Sequence, residues 1–242
     1  MTHPALVSLT FDDGLRCQFE RAVPLLDRRG FPATFFLVAN TDPIHTDGGQ
    51  HPDWRKINWS DDDIEFLKGM IQRGHEIGAH SMTHRIPELD DDPKFEARGS
   101  KEWVERRLAA KTDSYCYPFY HVTEPIKRAV VEAGHNGSFY SEHTSLDWFE
   151  VDCRQITQDE QVDQWVRPGC WHIVVFHGIG TWNDGWEPIA TDQFAAQMAE
   201  LATLRDSGAV EVVTFKDGAD RMRRNLCSAK LNPDAERERL CG

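Results

Sequence analysis

The sequence predicts an α/β fold built on parallel strands and closed as one barrel-like domain. Three observations carry this expectation. Strand and helix patterns alternate along the chain with no break in composition, internal repeat or low-complexity run. The clearest strand, Ala33-Thr34-Phe35-Phe36-Leu37-Val38-Ala39, is apolar almost throughout, as in sheets covered on both faces. A chain of 242 residues also matches the length of one barrel and can bury a sizeable core.

The first strand spans Ala5 to Phe11 and is stopped by Asp12-Asp13-Gly14. A helix follows over 18–29, with Phe19, Val23 and Leu26 on its apolar stripe. Pro24 fits this helix only in its first turn, and Gly30 occupies the C-cap position. After the second strand, 40–58 reads as a long polar loop. Ser60 then caps a helix that has Asp61, Asp62 and Asp63 in its first turn and runs to about Arg73. Gly74 ends it, and 75–79 forms a short third strand. Helices are expected over 95–111, 124–132 and 191–206. The segment 114–117 is extended, and strands are expected near 136–140, 150–156, 172–177 and 210–214. Six of the ten residues from Lys230 to Arg239 are charged, which sets 223–242 apart as a loosely held C-terminal extension to a catalytic domain over 1–222.

Charge excludes several function classes. Forty acidic against 27 basic residues give a net charge of −13, which argues against a nucleic-acid or anionic-membrane binder. No run of 18 apolar residues is present to span a membrane. The N-terminal Met1-Thr2-His3-Pro4-Ala5 lacks the pattern of a secretory signal, so a cytoplasmic protein is expected, with a secreted mature form as the alternative. The six cysteines are scattered without a CxxC pair and read as free thiols.

Two clusters carry chemistry. Asp12 and Asp13 stand at the C-terminal end of the first strand, where α/β barrels place their active sites. The chain turns at Gly14, so both carboxylates can face one pocket, although Asp-Asp-Gly is also a common exposed corner. The second cluster, His80-Ser81-Met82-Thr83-His84, follows the third strand. Two imidazoles at i and i+4 share one face of a helical turn and suit a divalent metal; a pair of surface histidines is the plainer alternative. Together the clusters give two histidines and one aspartate with open coordination positions, which is the catalytic rather than the structural pattern. His177, at the end of the apolar run Ile173-Val174-Val175-Phe176, is either a general acid at the same mouth or a structural histidine.

These segments resemble the polysaccharide deacetylase family, also called the NodB-homology domain or carbohydrate esterase family 4. The resemblance runs through Val7–Gly14, Gly74–His84 and Val175-Phe176-His177, and spans about residues 5 to 220. It implies a distorted (β/α)7 barrel. It further implies that Asp13, His80 and His84 bind a divalent metal, usually zinc, and that Asp12 is the general base toward the attacking water. His177 would protonate the leaving amine, and Ser81 would support the histidine loop. Tyr117-Pro118-Phe119 resembles the third motif and makes the Phe119 N–H an oxyanion donor. The chain departs from the family at Cys116, where an arginine usually orients the base. Arg154 is the expected substitute, and Asp147-Trp148 matches the fourth motif loosely.

The expected activity is therefore metal-dependent removal of the N-acetyl group from an acetamido sugar in an oligo- or polysaccharide. The alternatives are a deformylase or amidohydrolase acting on a small or lipid-linked sugar amide, and a carbohydrate-binding pseudoenzyme. Trp54 and the indoles of the 180–186 segment are candidates to stack on sugar rings, while Trp59 reads as a packing residue.

Overall fold

The computed structural model describes residues 4–40, 54–85, 92–135, 137–141, 151–155, 162 and 166–231. For 137–141, 151–155 and 225–231 it describes the backbone alone. All the strands are parallel. Strand β1 (Ala5–Phe11) pairs along one edge with β7 (Trp171–Phe176), from Leu6↔Trp171 to Phe11↔Phe176. Its other edge is shared. The start of β1 pairs with β8 (Val210–Val212), and its end pairs with β2 (Thr34–Leu37) through Thr10↔Thr34 and Phe11↔Phe35. From β2 the sheet continues through β3 (Glu76–Ala79), β4 (Ser114–Cys116), β5 (Gly137–Ser141) and β6 (Val151–Gln155) back to β7. Seven strands thus close a ring, with β8 wedged against the first half of β1. This is the distorted (β/α)7 barrel that the resemblance implied.

Helices cover the outside. A π-turn at Gln18–Ala22 leads into α1 (Val23–Arg29), with Pro24 in its first turn and Gly30 left-handed at φ 64°. Ser60 accepts from the Asp63 N–H to cap α2 (Asp61–Gln72). A second π-turn, Phe95–Gly99, precedes α3 (Ser100–Leu108); α4 (Glu124–Glu132) and α5 (Thr191–Asp206) follow as expected. The last helix, α6 (Phe215–Leu231), differs from the sequence reading. It runs straight through the 222/223 boundary at which an extension was expected to begin. The cause is local: Thr214 Oγ1 accepts from the Asp217 N–H, with Asp217 in the first turn, and Phe215 and Ala219 are buried. Residues 232–242 lie outside the described residues.

The side-chain period of a strand sorts the core into two layers. Val7, Leu9, Phe11, Phe35, Val174 and Phe176 pack outward against helix residues such as Leu26, Phe194 and Leu201. Phe11 stacks on Phe35 and Phe176 at centroid distances of 4.7 and 5.3 Å. The opposite set, Phe36, Cys116, Ile173 and Val175, meets inside the ring over Phe215. Ser8, Thr10 and Asp12 continue this inward row on β1, and His177 continues Ile173 and Val175 on β7. The barrel axis therefore leads to the chemistry.

Gly78 in β3 is required by close approach, since a Cβ there would lie 2.5 Å from the Phe36 ring. Gly78→Ala is expected to destabilise the fold by about 1–3 kcal/mol, read from the midpoint of urea unfolding.

Candidate metal and catalytic site

Four strand ends supply one cavity of about 360 Å³: β1 gives Asp12 and Asp13, β3 gives His80 and His84, β4 gives Tyr117, Phe119 and Tyr120, and β7 gives His177. Trp54 and Trp186 complete its wall. Adjacent carboxylates share the cavity because Asp13 adopts a left-handed conformation, φ 74°, directly after the last inward residue of β1. Gln18, wholly buried, holds this corner. Its side-chain amide donates to the Asp12 carbonyl at 2.6 Å and to the His177 carbonyl at 3.0 Å, and its Oε1 accepts from the Leu15 N–H.

The two histidines converge, but not on a helical turn as the spacing suggested. Residues 80–84 form a loop with Ser81 and His84 at φ 62° and 56°. The His84 N–H donates to Ser81 Oγ at 2.8 Å, which is the supporting role expected of Ser81. The buried Glu96 carboxylate accepts from the Met82 and Thr83 N–H groups, both at 2.9 Å, and from Thr83 Oγ1 at 2.8 Å. The imidazole centroids end 4.8 Å apart. Among the described residues, five of the eight non-glycine residues at positive φ (Asp13, Ser81, His84, Phe119 and Tyr120) belong to the cavity or to this loop, where local strain is the usual mark of a functional site.

Asp13 Oδ1 lies 3.0 Å from His84 Nε2 and 3.5 Å from His80 Nε2, is buried, and has no hydrogen-bond partner among the described residues. His80 Nδ1 donates to the Cys116 carbonyl at 2.9 Å, which turns the Nε2 lone pair toward Asp13. Burial pushes His84 down to about 4, so its ring is neutral at neutral pH. Burial tends to raise Asp13, but the neighbouring His84, Lys56 and His80 outweigh it and hold the carboxyl well below its ordinary value. Two imidazoles and an ionised carboxylate, with ligand atoms within 4.8 Å of one another, fit a divalent cation, and the backbone carbonyl on His80 is the outer partner that such a ligand needs.

Asp12 is almost fully buried. Its Oδ2 lies 3.2 Å from Cys116 Sγ and 3.9 Å from His177 Nε2, and its Oδ1 has no hydrogen-bond partner among the described residues. Burial raises its carboxyl above the ordinary value, against the nearby His80 and His177. The Phe119 ring packs on His84 at 4.8 Å, with its backbone left-handed at φ 55°.

Asp12, Asp13, His80, His84, Phe119 and His177 are thus brought to one cavity. Arg154 is placed in β6 opposite Val174, but its side chain lies outside the described residues, as do Asp147 and Trp148. Trp59 is buried, donating to the Val38 carbonyl, as a packing residue does. The sequence reading missed Gln18 and Glu96. Each is a lone polar residue beside a helix start, with no spacing to betray that Gln18 reaches across to the His177 carbonyl or that Glu96 reaches back to Met82 and Thr83.

The family model described as polysaccharide deacetylase matches residues 1–138, more than half of the chain. The chain belongs to the polysaccharide deacetylase family. Deacetylation of acetylated carbohydrate, a hydrolysis, is accordingly its reaction class. Solved structures share the fold at low identity. The Xyl-CE4 domain of a multidomain xylanase from the hindgut metagenome of Trinervitermes trinervoides is 17% identical, with 91% of this chain and 92% of that one covered and a TM-score of 0.58. The peptidoglycan deacetylase PdaC from Bacillus subtilis is 14% identical, with 94% and 96% covered and a TM-score of 0.56. A family 4 acetyl xylan esterase from Clostridium thermocellum, solved with a cobalt ion, is 18% identical, with 88% and 89% covered and a TM-score of 0.56.

Glu96→Ala removes the acceptor from two loop amides. Hydrogen exchange at Met82 and Thr83 is expected to quicken by about ten- to a hundredfold, the equivalent of one buried hydrogen bond to a charged group.

Proposed function

We propose that this chain is a divalent-metal-dependent hydrolase that removes the N-acetyl group from an acetamido sugar of an oligo- or polysaccharide. The observation that carries the reading is the Asp12–His177 pair, 3.9 Å apart in the same cavity as the Asp13, His80 and His84 cluster. A divalent cation, zinc by the character of the donors, would polarise the acyl carbonyl and make water acidic there.

The rest is done by the chain's own groups. Asp12 takes the proton of the attacking water, and its unpartnered Oδ1 is the accepting atom. Burial makes this carboxylate more basic than an exposed one. The left-handed turn at Phe119 offers its N–H to the developing oxyanion. His177 delivers a proton through Nε2 to the sugar nitrogen as the C–N bond breaks, leaving acetate and the free amine. An amide needs that proton more than an ester does, so the inward His177 favours N-acetyl over O-acetyl substrates. Trp54 and Trp186 offer flat apolar faces to sugar rings at the wall. The net charge of −13 suits a neutral substrate and a cationic amine product. Because Asp12, Asp13, His80, His84, Phe119 and His177 line one cavity, a binding-only protein is the weaker reading.

Acetate release from a panel of N-acetylated mono- and oligosaccharides is expected, abolished by chelation and restored by zinc. His80→Ala, His84→Ala and Asp13→Asn should lose bound metal and activity together. Asp12→Asn should keep the metal and lose about 10²–10⁴ in kcat. Stoichiometric metal in a His80→Ala/His84→Ala double variant would rule out the ligand set.

A further inference from the structure

Cys116 touches both halves of the site. It closes β4, is fully buried, and packs inside the barrel with Phe36, Ile173 and Val175. Its carbonyl accepts from His80 Nδ1 at 2.9 Å, and its Sγ lies 3.2 Å from Asp12 Oδ2. A carbonyl and a thiol of one residue therefore fix the ring of a candidate ligand and the carboxylate of the candidate base relative to each other. We propose that the Cys116 thiol is a positioning residue: its S–H donates to Asp12 Oδ2 and holds the carboxylate so that Oδ1 faces the water it deprotonates. This deepens the proposed function and rests on Asp12 being the base.

The geometry favours this over the alternatives. A thiol is a weak donor, yet inside an apolar cluster with no water to compete its one hydrogen is directed by packing. Sγ is 3.8 Å from the Tyr117 carbonyl, a longer contact than that to Asp12. A carboxylate with one oxygen engaged and the other free has a single orientation toward substrate. A carboxylate with neither engaged rotates about χ2, and misplacing a catalytic group by about 1 Å costs up to roughly a hundredfold in rate. Asp12, His80 and Cys116 also lie close enough together to bind a cation through the sulfur, which would make Cys116 a ligand instead.

Three variants and one spectrum separate these roles. Cys116→Val keeps the position apolar and removes the donor, and kcat should fall by about 10- to 100-fold with KM and bound zinc unchanged. Cys116→Ser restores a donor and should return kcat to within a fewfold of the parent. The S–H stretching band of Cys116, assigned by infrared difference against Cys116→Val, should sit at the lower frequency of a thiol bonded to a carboxylate and move up in Asp12→Ala. A band indifferent to Asp12→Ala, an unchanged kcat in Cys116→Val, or no rescue by serine each overturns the proposal. Loss of zinc in Cys116→Val overturns it as well and reassigns the residue as a ligand. If the parent protein releases no acetate from any substrate while the band still responds to Asp12→Ala, the proposed function fails with its base, although the thiol–carboxylate contact stands.

Discussion

Two carboxylates that follow each other on a strand face opposite ways, yet the chemistry needs Asp12 and Asp13 in one cavity. The left-handed backbone at Asp13 resolves the conflict by turning the chain immediately after the last inward position of β1. Much of the remaining structure holds that corner in place. β1 is the strand bonded to three others, with β7 on one edge and β8 and β2 sharing the other. Gln18 then links the Asp12 and His177 carbonyls across the β1–β7 pair, so the backbones that carry these two side chains are fixed to each other.

Strain at this end of the barrel is matched by buried hydrogen bonding. Ser81, His84, Phe119 and Tyr120 all sit at positive φ, a costly conformation for residues with a side chain. The Glu96 carboxylate offsets part of that cost with three hydrogen bonds into the histidine loop. Burying Glu96 and the two site carboxylates within one region is unfavourable unless each is satisfied. Glu96 is satisfied within the chain, whereas Asp13 Oδ1 and Asp12 Oδ1 have no hydrogen-bond partner among the described residues. Glu96, which holds the histidine loop, is bonded through both oxygens, and the two carboxylates that face the cavity each keep an oxygen open, as the proposed function requires.

The period-2 and period-3.6 patterns made the strands and most helices legible, because burial on a sheet face or helix stripe is written in local sequence. Asp12, Asp13, His80, His84 and His177 were legible for the same reason, each standing at the end of an apolar strand. The convergence of His80 and His84 was readable from their spacing, but its means was not: the loop depends on Glu96, twelve residues beyond His84. Helix α6 was hidden by its charged surface, although Thr214 and Asp217 mark its start three residues apart. Arg154 was inferred from a gap in a motif, and the gap itself, Cys116, proves to contact Asp12.

On the proposed reading, that cysteine also bears on charge. Asp12 and Asp13 carry two negative charges in a desolvated pocket, and a divalent cation on Asp13, His80 and His84 balances them. A guanidinium in the place of Cys116 would add a third positive charge and draw the Asp12 carboxyl down, weakening it as a base. A thiol donates without adding charge, and its hydrogen bond lowers the Asp12 carboxyl by less than burial raises it. On this reading Cys116 orients the base and costs it little basicity, which the apolar interior of the barrel mainly sets.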